Sequence, residues 1–281
     1  MSSRVPHACV IGWPVGHSRS PLIHNYWLKQ AGIRGVYDIR AVAPEHLAGF
    51  FATLRDGTYV GCNVTVPHKQ AVLDLVDQAT AQAKRLKSVN TIYRENGRLV
   101  AASSDGAGFI AHLKASVPQI DLSGMAVMLL GAGGAARAIA GALLEEKVPA
   151  IMVANRTMAK AEMLARDLGG PVDVCDWDTA ARHLTQTGLL VNATSLGMTG
   201  MPPLKLDLSR LDRSAVVADI VYAPLMTGLL MEARTRGLAT VDGLGMLLHQ
   251  AAPGFEKWFG VRPAVTEELR NLLIRDIEAA S

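Results

Sequence analysis

The chain is poor in cysteine: Cys9, Cys62 and Cys175 stand far apart among 281 residues. No two share the short spacing of a metal-ligand pair, and a scattered trio does not make a disulfide framework. They read as small buried hydrophobes in a reducing compartment. No metal site is expected, since the histidines show no ligand spacing either. Charge of one sign is lacking too: 28 Lys and Arg stand against 25 Asp and Glu, a formal net of +3. With no basic arm or like-charge run, nucleic acid is not an expected partner. No apolar run approaches the ~18 residues of a membrane span, so no membrane association is expected. The opening MSSRVPHACVIG lacks the apolar core of a secretory signal. These absences lead to an expectation of a soluble cytoplasmic protein, a monomer or homodimer, acting on a small molecule.

What is present is apolar mass and punctuation. Hydrophobic residues make up 49% of the chain, and the length suits two domains. The most informative stretch runs from Met125 to Thr157. An apolar run, Met125 to Leu130, enters Gly131-Ala132-Gly133-Gly134-Ala135-Ala136. A helical run follows to Glu146, then a short apolar run, Ala150 to Ala154, ending in Asn155-Arg156-Thr157. Strand, glycine turn, helix, strand is the context that gives G-x-G-x-x-G/A its meaning. Gly131 permits the tight turn, Gly133 lets backbone approach a pyrophosphate, and small Ala136 lets helix and strand pack. The helix start offers N–H groups to phosphates. An acid at the end of the second strand would bind a ribose 2′-OH. Arg156 there suits a 2′-phosphate instead, so NADP is favoured over NAD, although a solvated loop arginine has the same signature.

The first hundred residues alternate strand-like and helix-like runs. His7–Trp13 reads as a strand, and Pro21–Gln30 as a helix capped by Ser20. Val36–Val42 reads as a strand, Pro44–Arg55 as a helix ended by Gly57, and Tyr59–Val66 as a strand. Val89–Tyr93 and Leu99–Ser103 flank Asn96-Gly97, a hairpin signal. A helix begins near Asp105. Later strands are expected at Gly188–Asn192, Ala215–Ile220 and Leu238–Asp242. Helix follows from Gly243 to Ile274, broken at Pro253 and at Gly260–Pro263.

Five polar clusters lie outside the glycine turn. Ser18 and Ser20, before a helix, suit a carboxylate, although plain capping also accounts for Ser20. Lys69 follows the strand end Asn63-Val64-Thr65 and is read at a helix start. A cation there opposes the dipole and gains as a proton acceptor; a solvated surface lysine is the competing reading. Asn90 suits a polyol hydroxyl. Asp105 suits a partner for Lys69 or, equally, a first-turn acid of its helix. Gln250 lies late in Gly243-Leu244-Gly245-Met246-Leu247-Leu248-His249, where an amide can be aimed into a cleft.

The order of these clusters carries a resemblance. GWPVGHSRSPLIHN from Gly12, NVTVPHK from Asn63, VNT from Val89, SDGAGF from Ser104, GAGGAARA from Gly131, NRT with Lys160, NATSLGM from Asn192, DIVYAP from Asp219 and GLGMLLHQAAPGFEKW from Gly243 together make the chain similar to the shikimate dehydrogenase family, nearly end to end. The resemblance implies reversible, NADP-dependent oxidation of shikimate to 3-dehydroshikimate, a step of chorismate and aromatic amino acid biosynthesis. It makes Lys69 and Asp105 the catalytic pair. It gives Ser18 and Ser20 the substrate carboxylate, Thr65, Asn90 and Gln250 the hydroxyls, and Tyr222 a place near them. It lays the nucleotide on Gly131, Gly133, Gly134, Ala135 and Ala136, with Asn155, Arg156, Thr157 and Lys160 around the 2′-phosphate and Gly243 also near the cofactor. One departure stands beside the catalytic acid: Ser103-Ser104 replaces the family's usual Asn-Thr. Quinate or a related cyclitol acid is the alternative substrate, and a non-catalytic NADP and polyol-acid sensor the alternative of another class.

The expected fold is α/β in two domains. Residues 1–105 form a smaller, mainly parallel substrate domain. Residues 106–242 form a doubly wound Rossmann-type nucleotide domain, and the C-terminal helices from 243 to 281 return to the substrate domain. A ligand cleft between two such domains is the default expectation.

Overall fold

The computed structural model describes residues 5–280. The chain divides into two compact units, residues 1–104 with 250–273 and residues 105–249 with 274–281.

The first unit holds β1 (His7–Gly12), α1 (Ser20–Gln30), β2 (Val36–Ala41), α2 (Leu47–Arg55), β3 (Gly61–Val64), β4 (Gln78–Ala79), α3 (Ala81–Leu86), β5 (Thr91–Glu95) and β6 (Arg98–Ala102). Its sheet runs β2-β1-β3-β5-β6-β4. The β1–β2, β1–β3 and β4–β6 pairs are parallel. The β3–β5 and β5–β6 pairs are antiparallel, because the Asn96-Gly97 turn folds a hairpin into the sheet. Both turn residues have positive φ, 51° and 77°, as such a tight turn requires. After His7 the β1 sequence, ACVIG, is apolar and buried because both its faces are covered. Cys9, Ile11, Phe51, Leu54, Cys62 and Ile92 pack on one side, while Val10, Tyr37 and Trp258 pack on the other.

The second unit holds α4 (Asp105–Ser116), β7 (Ala126–Leu130), α5 (Gly134–Glu145), β8 (Ala150–Ala154), α6 (Met158–Leu168), β9 (Val172–Cys175), β10 (Leu189–Asn192), β11 (Val216–Asp219), α7 (Gly228–Thr235) and β12 (Ala239–Val241). Its sheet, β12-β11-β10-β7-β8-β9, is parallel throughout, the order of a doubly wound dinucleotide fold. The strand order reverses between β7 and β10, and the Gly131 turn leaves β7 at that point. Two helices, α8 (Gly243–Phe259) and α9 (Glu267–Ala279), complete the chain. Residues 243–249 of α8 group with the second unit and those from Gln250 with the first.

Three local expectations are corrected. The N-cap of α1 is Arg19, which makes no side-chain cap bond; Ser20 is the first helical residue, and its N–H donates to Ser18 Oγ at 3.3 Å. Lys69 does not begin a helix: it lies in a turn before a single 3₁₀ turn, Ala71–Asp74, so the expected dipole contribution is lost. Pro253 does not break α8. An interior proline costs a helix about 3 kcal/mol. Burial of Ala251, Ala252, Phe255 and Trp258 around it offsets that cost.

His24 of α1 is fully buried. Its ring stacks on Tyr37 at 4.0 Å between centroids and meets Phe255, Trp27 and Trp258. Burial pushes its pKa down to about 3; the Asn63 amide opposes this slightly, but neither ring nitrogen completes a hydrogen bond. The folded-state pKa lies below the unfolded value of 6.5, so between pH 6.5 and 3 the unfolded chain binds the extra proton. Stability at this residue is therefore full above pH 6.5 and falls on acidification, by ~2 kcal/mol at pH 5. Urea unfolding of His24→Phe at pH 7 and pH 5 should show that much less acid loss than wild type. An equal loss in both would remove His24 from the acid response.

Candidate active site

In the first unit the polar residues expected around a substrate fall into two hydrogen-bonded groups. Ser18 Oγ donates to Ser20 Oγ at 3.2 Å. Tyr37 Oη donates to Asn63 Oδ1 at 2.6 Å. Asn63 Nδ2 donates to the Asn90 carbonyl at 3.0 Å and reaches Thr91 Oγ1 at 3.5 Å. Thr91 Oγ1 donates to Asn90 Oδ1. Asn90 Nδ2 donates to Ser104 Oγ and to Gln250 Oε1, each at 2.9 Å. Ser104 closes the run by donating to the Gln250 carbonyl at 2.7 Å. The structure thus pairs Ser18 with Ser20 and joins Asn90 to Gln250. Sequence reasoning left out Tyr37 and gave Asn63 and Thr91 no role. The one local signal was a polar Asn63 in an otherwise apolar, fully buried strand, GCNV.

The departure beside Asp105 is resolved by this geometry. Ser104 keeps a hydroxyl in the network, so the lost methyl group costs it no hydrogen bond. Ser103 Oγ is buried with no partner among the described residues.

Thr65 and Lys69 lie where β3 ends. Thr65 N–H donates to the Ile11 carbonyl at 2.9 Å, and Val89 N–H donates to the Lys69 carbonyl at 2.8 Å. Buried His68 bonds through Nε2 to the Val42 carbonyl at 2.7 Å, which makes that nitrogen the protonated one, since a carbonyl only accepts. The backbone of the turn around half-buried Lys69 is thereby fixed.

Asp105 belongs to the second unit. It is the first residue of α4 and 5% exposed. Gly106 behind it lets α4 lie on α5: a Cβ there would collide with the Ala138 carbonyl. Tyr222 is half-buried in the loop after β11. That loop is tied by Asp219, which accepts from Asn192 Nδ2, Val221 N–H and Thr227 Oγ1 at 2.9, 3.0 and 2.7 Å. Burial pushes the Asp219 pKa up to about 6 against these three bonds. The Asn192 and Asp219 motifs thus find a structural use that spacing alone did not reveal.

The glycine turn fits a nucleotide. Gly131 has φ +107°, and its N–H donates to the Ala154 carbonyl at 2.8 Å. Gly133 is the extended N-cap of α5, with open space where a Cβ would stand. Ala136 is fully buried behind it, and Gly134 and Ala135 are half-buried in the first turn. Buried Arg137 pairs with Asp167 and ties α5 to α6. At the start of α6, Asn155 Nδ2 donates to the Thr157 carbonyl at 2.8 Å. Arg156, Thr157 and Lys160 are exposed there, and the first turn holds no acid. Two cations at a positive helix end suit a phosphate. Gly243 admits close approach of α8 to β11, since a Cβ would collide with the Ile220 carbonyl. Among the described residues no group of three or more His, Cys, Asp or Glu is arranged to hold a metal. No helix there is long and apolar enough to cross a membrane.

A parallel sheet in this order, with a glycine turn at its switch point and a basic strand end, defines a Rossmann-type dinucleotide-binding protein, here joined to a second α/β unit rich in polyol-type donors and acceptors. Family profiles narrow the class. Residues 10–92 match the shikimate dehydrogenase substrate binding domain, residues 111–201 match shikimate / quinate 5-dehydrogenase, and residues 243–271 match the shikimate 5′-dehydrogenase C-terminal domain. The chain is 51% identical over 280 residues to shikimate dehydrogenase (NADP(+)) of Methylocella silvestris, covering 100% of both. It is also similar to the crystal structure of shikimate 5-dehydrogenase from Thermus thermophilus in complex with NADP(H) and shikimate. There the TM-score is 0.86 and the identity 33%, over 97% of this chain and 100% of that one. Quinate dehydrogenase from Corynebacterium glutamicum in complex with NAD gives a TM-score of 0.87 at 28% identity, over 99% of each chain. The chain belongs to the shikimate dehydrogenase family.

Proposed function

We propose that the protein catalyses the reversible, NADP-dependent oxidation of shikimate to 3-dehydroshikimate. The observation that carries this is full-length identity of 51% to an NADP(+)-dependent shikimate dehydrogenase. Ser18 and Ser20 bind the carboxylate. Thr65, Asn90 and Gln250 hold the hydroxyls, with Tyr222 beside them. The Lys69 amine takes the proton of the reacting hydroxyl, and Asp105 is its partner in the catalytic pair. Bound NADP supplies the hydride acceptor. Gly131 to Ala136 hold its pyrophosphate, Gly243 lies near it, and Asn155, Arg156, Thr157 and Lys160 hold its 2′-phosphate. A cytoplasmic location fits three buried, unbridged cysteines.

The test is absorbance of reduced nicotinamide against time, with shikimate and quinate each paired with NADP and NAD. Turnover with shikimate and NADP supports the assignment. Turnover with quinate alone would move the protein to the second reading, which the Corynebacterium structure favours. Binding of both ligands without turnover in any pairing would make it a sensor.

Arg156→Ala should raise KM for NADP by about 10–30-fold, the worth of charge-assisted hydrogen bonds to a phosphate. KM for NAD, which lacks that phosphate, should stay within twofold. Equal changes for both nucleotides would take Arg156 out of the 2′-phosphate site.

A further inference from the structure

The motifs that begin at Asn192 and Asp219 are unused by the proposed activity, apart from Tyr222. Asn192 and Asp219 stand in register at the ends of the paired strands β10 and β11. Asn192 is fully buried and Asp219 is 1% exposed. A buried carboxylate is costly unless donors surround it. Asp219 has its donors on two arms, one from each oxygen.

The first arm runs through Oδ1, which accepts from Val221 N–H and from Asn192 Nδ2. An ionised carboxylate only accepts, so the Asn192 amide must turn its NH₂ toward Asp219 and its oxygen away. That NH₂ also donates to the Leu196 carbonyl at 3.1 Å. Asn192 Oδ1 then accepts from Thr194 N–H at 3.1 Å and from Thr194 Oγ1 at 2.7 Å. Thr194 Oγ1 in turn accepts from Leu196 N–H at 3.1 Å. So held, the Thr194 methyl stands against the glycine turn: a Cβ on Gly131 would lie 3.1 Å from Thr194 Cγ2. The second arm runs from Oδ2 to the Thr227 hydroxyl. Thr227 is the N-cap of α7, and its Oγ1 accepts from Leu230 N–H at 3.3 Å. One arm thus ends at the nucleotide turn and the other at a helix start.

We propose that Asp219 is a positioning residue for the nucleotide turn: through Asn192 it fixes Thr194 as the wall beside Gly131 before NADP binds. This rests on the NADP-dependent activity assigned above. Without the carboxylate the Asn192 amide loses the partner that dictates its orientation, and Thr194 loses its fixed acceptor.

The test is fluorescence titration with NADPH alone, at pH 8, above the pKa of about 6 to which burial raises Asp219. Asp219→Ala should raise Kd about tenfold, the scale of one or two buried hydrogen bonds. Thr194→Val keeps the side-chain shape, removes the hydroxyl and should give a similar rise. The pair together should cost less than threefold beyond either alone, since Asp219 acts through Thr194. Asp219→Asn can keep its oxygen toward Asn192 and its NH₂ toward Thr227, so Kd should return to within threefold of wild type. Thr227→Val breaks only the second arm. It should melt a few degrees lower through the lost cap yet bind NADPH within twofold of wild type. That contrast separates positioning from stability, and with Thr194→Val it carries the test even if Asp219→Ala does not fold. An unchanged Kd in Thr194→Val, full additivity of the pair, or an equal rise in Thr227→Val would overturn the proposal. Wild-type protein that binds NADPH without oxidising shikimate would remove the activity and leave this cycle readable. Wild-type protein that binds no NADPH would overturn both.

Discussion

Lys69→Ala is expected to lower kcat for shikimate oxidation by about 10³-fold, within the range of a lost general base. The size follows from what the substitution removes and what it leaves. The turn around Lys69 is held by backbone and by a neighbour: Val89 N–H on the Lys69 carbonyl and His68 on the Val42 carbonyl. None of these bonds uses the amine, so the backbone keeps its path when the side chain is cut to a methyl group. The residues proposed to hold nucleotide all lie outside the first unit, from Gly131 onward. NADP affinity, measured by fluorescence titration, should therefore stay within twofold, and the circular-dichroism melt should move by no more than a few degrees. Asp105→Asn, which removes the charge but keeps the shape, should give a smaller fall in kcat. Turnover of Lys69→Ala within tenfold of wild type would take the proton role away from this residue.

Local chemistry was legible in the sequence wherever a short stretch determines its own conformation. The Gly131 turn, its flanking strands and the Asn96-Gly97 hairpin are of this kind, because one glycine or one dipeptide decides the backbone. The strand Val172–Cys175 and the helix Met158–Leu168 went unread. The strand, VDVC, is a four-residue edge element whose alternation is too short to separate from loop. The helix begins directly after the basic strand end, with no side-chain cap at Thr157 and no acid in its first turn to mark the start. Lys69 looked like a helix start because a polar strand end followed by a basic residue and an apolar run has that pattern. Only a 3₁₀ turn forms there, between anchors supplied by Val42 and Val89. The polar network was invisible for a different reason. Asn90 meets Gln250 across 160 positions, and Tyr37 meets Asn63 across 26. Such pairs depend on sheet register and on where α8 returns, which no local pattern encodes. Residues with a nameable ligand chemistry were thus easier to nominate than those that brace them.

Gly131→Ala should be the most damaging substitution in the nucleotide turn, and comparison with Gly133→Ala separates fold from ligand. At Gly131 φ is +107°, a region closed to alanine, and strain of this kind costs on the order of 1–3 kcal/mol. Space is also missing: an added Cβ would stand 2.9 Å from the Ala193 carbonyl oxygen and 3.1 Å from its carbon. These are backbone atoms of the loop after β10, and that loop is fixed by Ala193 N–H bonding to the Leu130 carbonyl at 2.8 Å. Neither side can yield, so the turn must move, and the first N–H groups of α5 move with it. A melting temperature lower by several degrees and an NADP KM at least ~100-fold higher are expected together, the latter from the loss of two or more phosphate hydrogen bonds. Gly133 is different. Its φ of −79° admits any residue, and a Cβ there meets nothing within 4 Å. Gly133→Ala should therefore melt like wild type. With the pyrophosphate on this turn, as proposed, the methyl group would stand in its space, so NADP KM should still rise, by about tenfold or more, from steric exclusion at a site that depends on close backbone approach. If Gly133→Ala binds NADP as wild type does, the pyrophosphate does not lie on this turn. If Gly131→Ala melts unchanged, the positive φ is not required by the folded backbone.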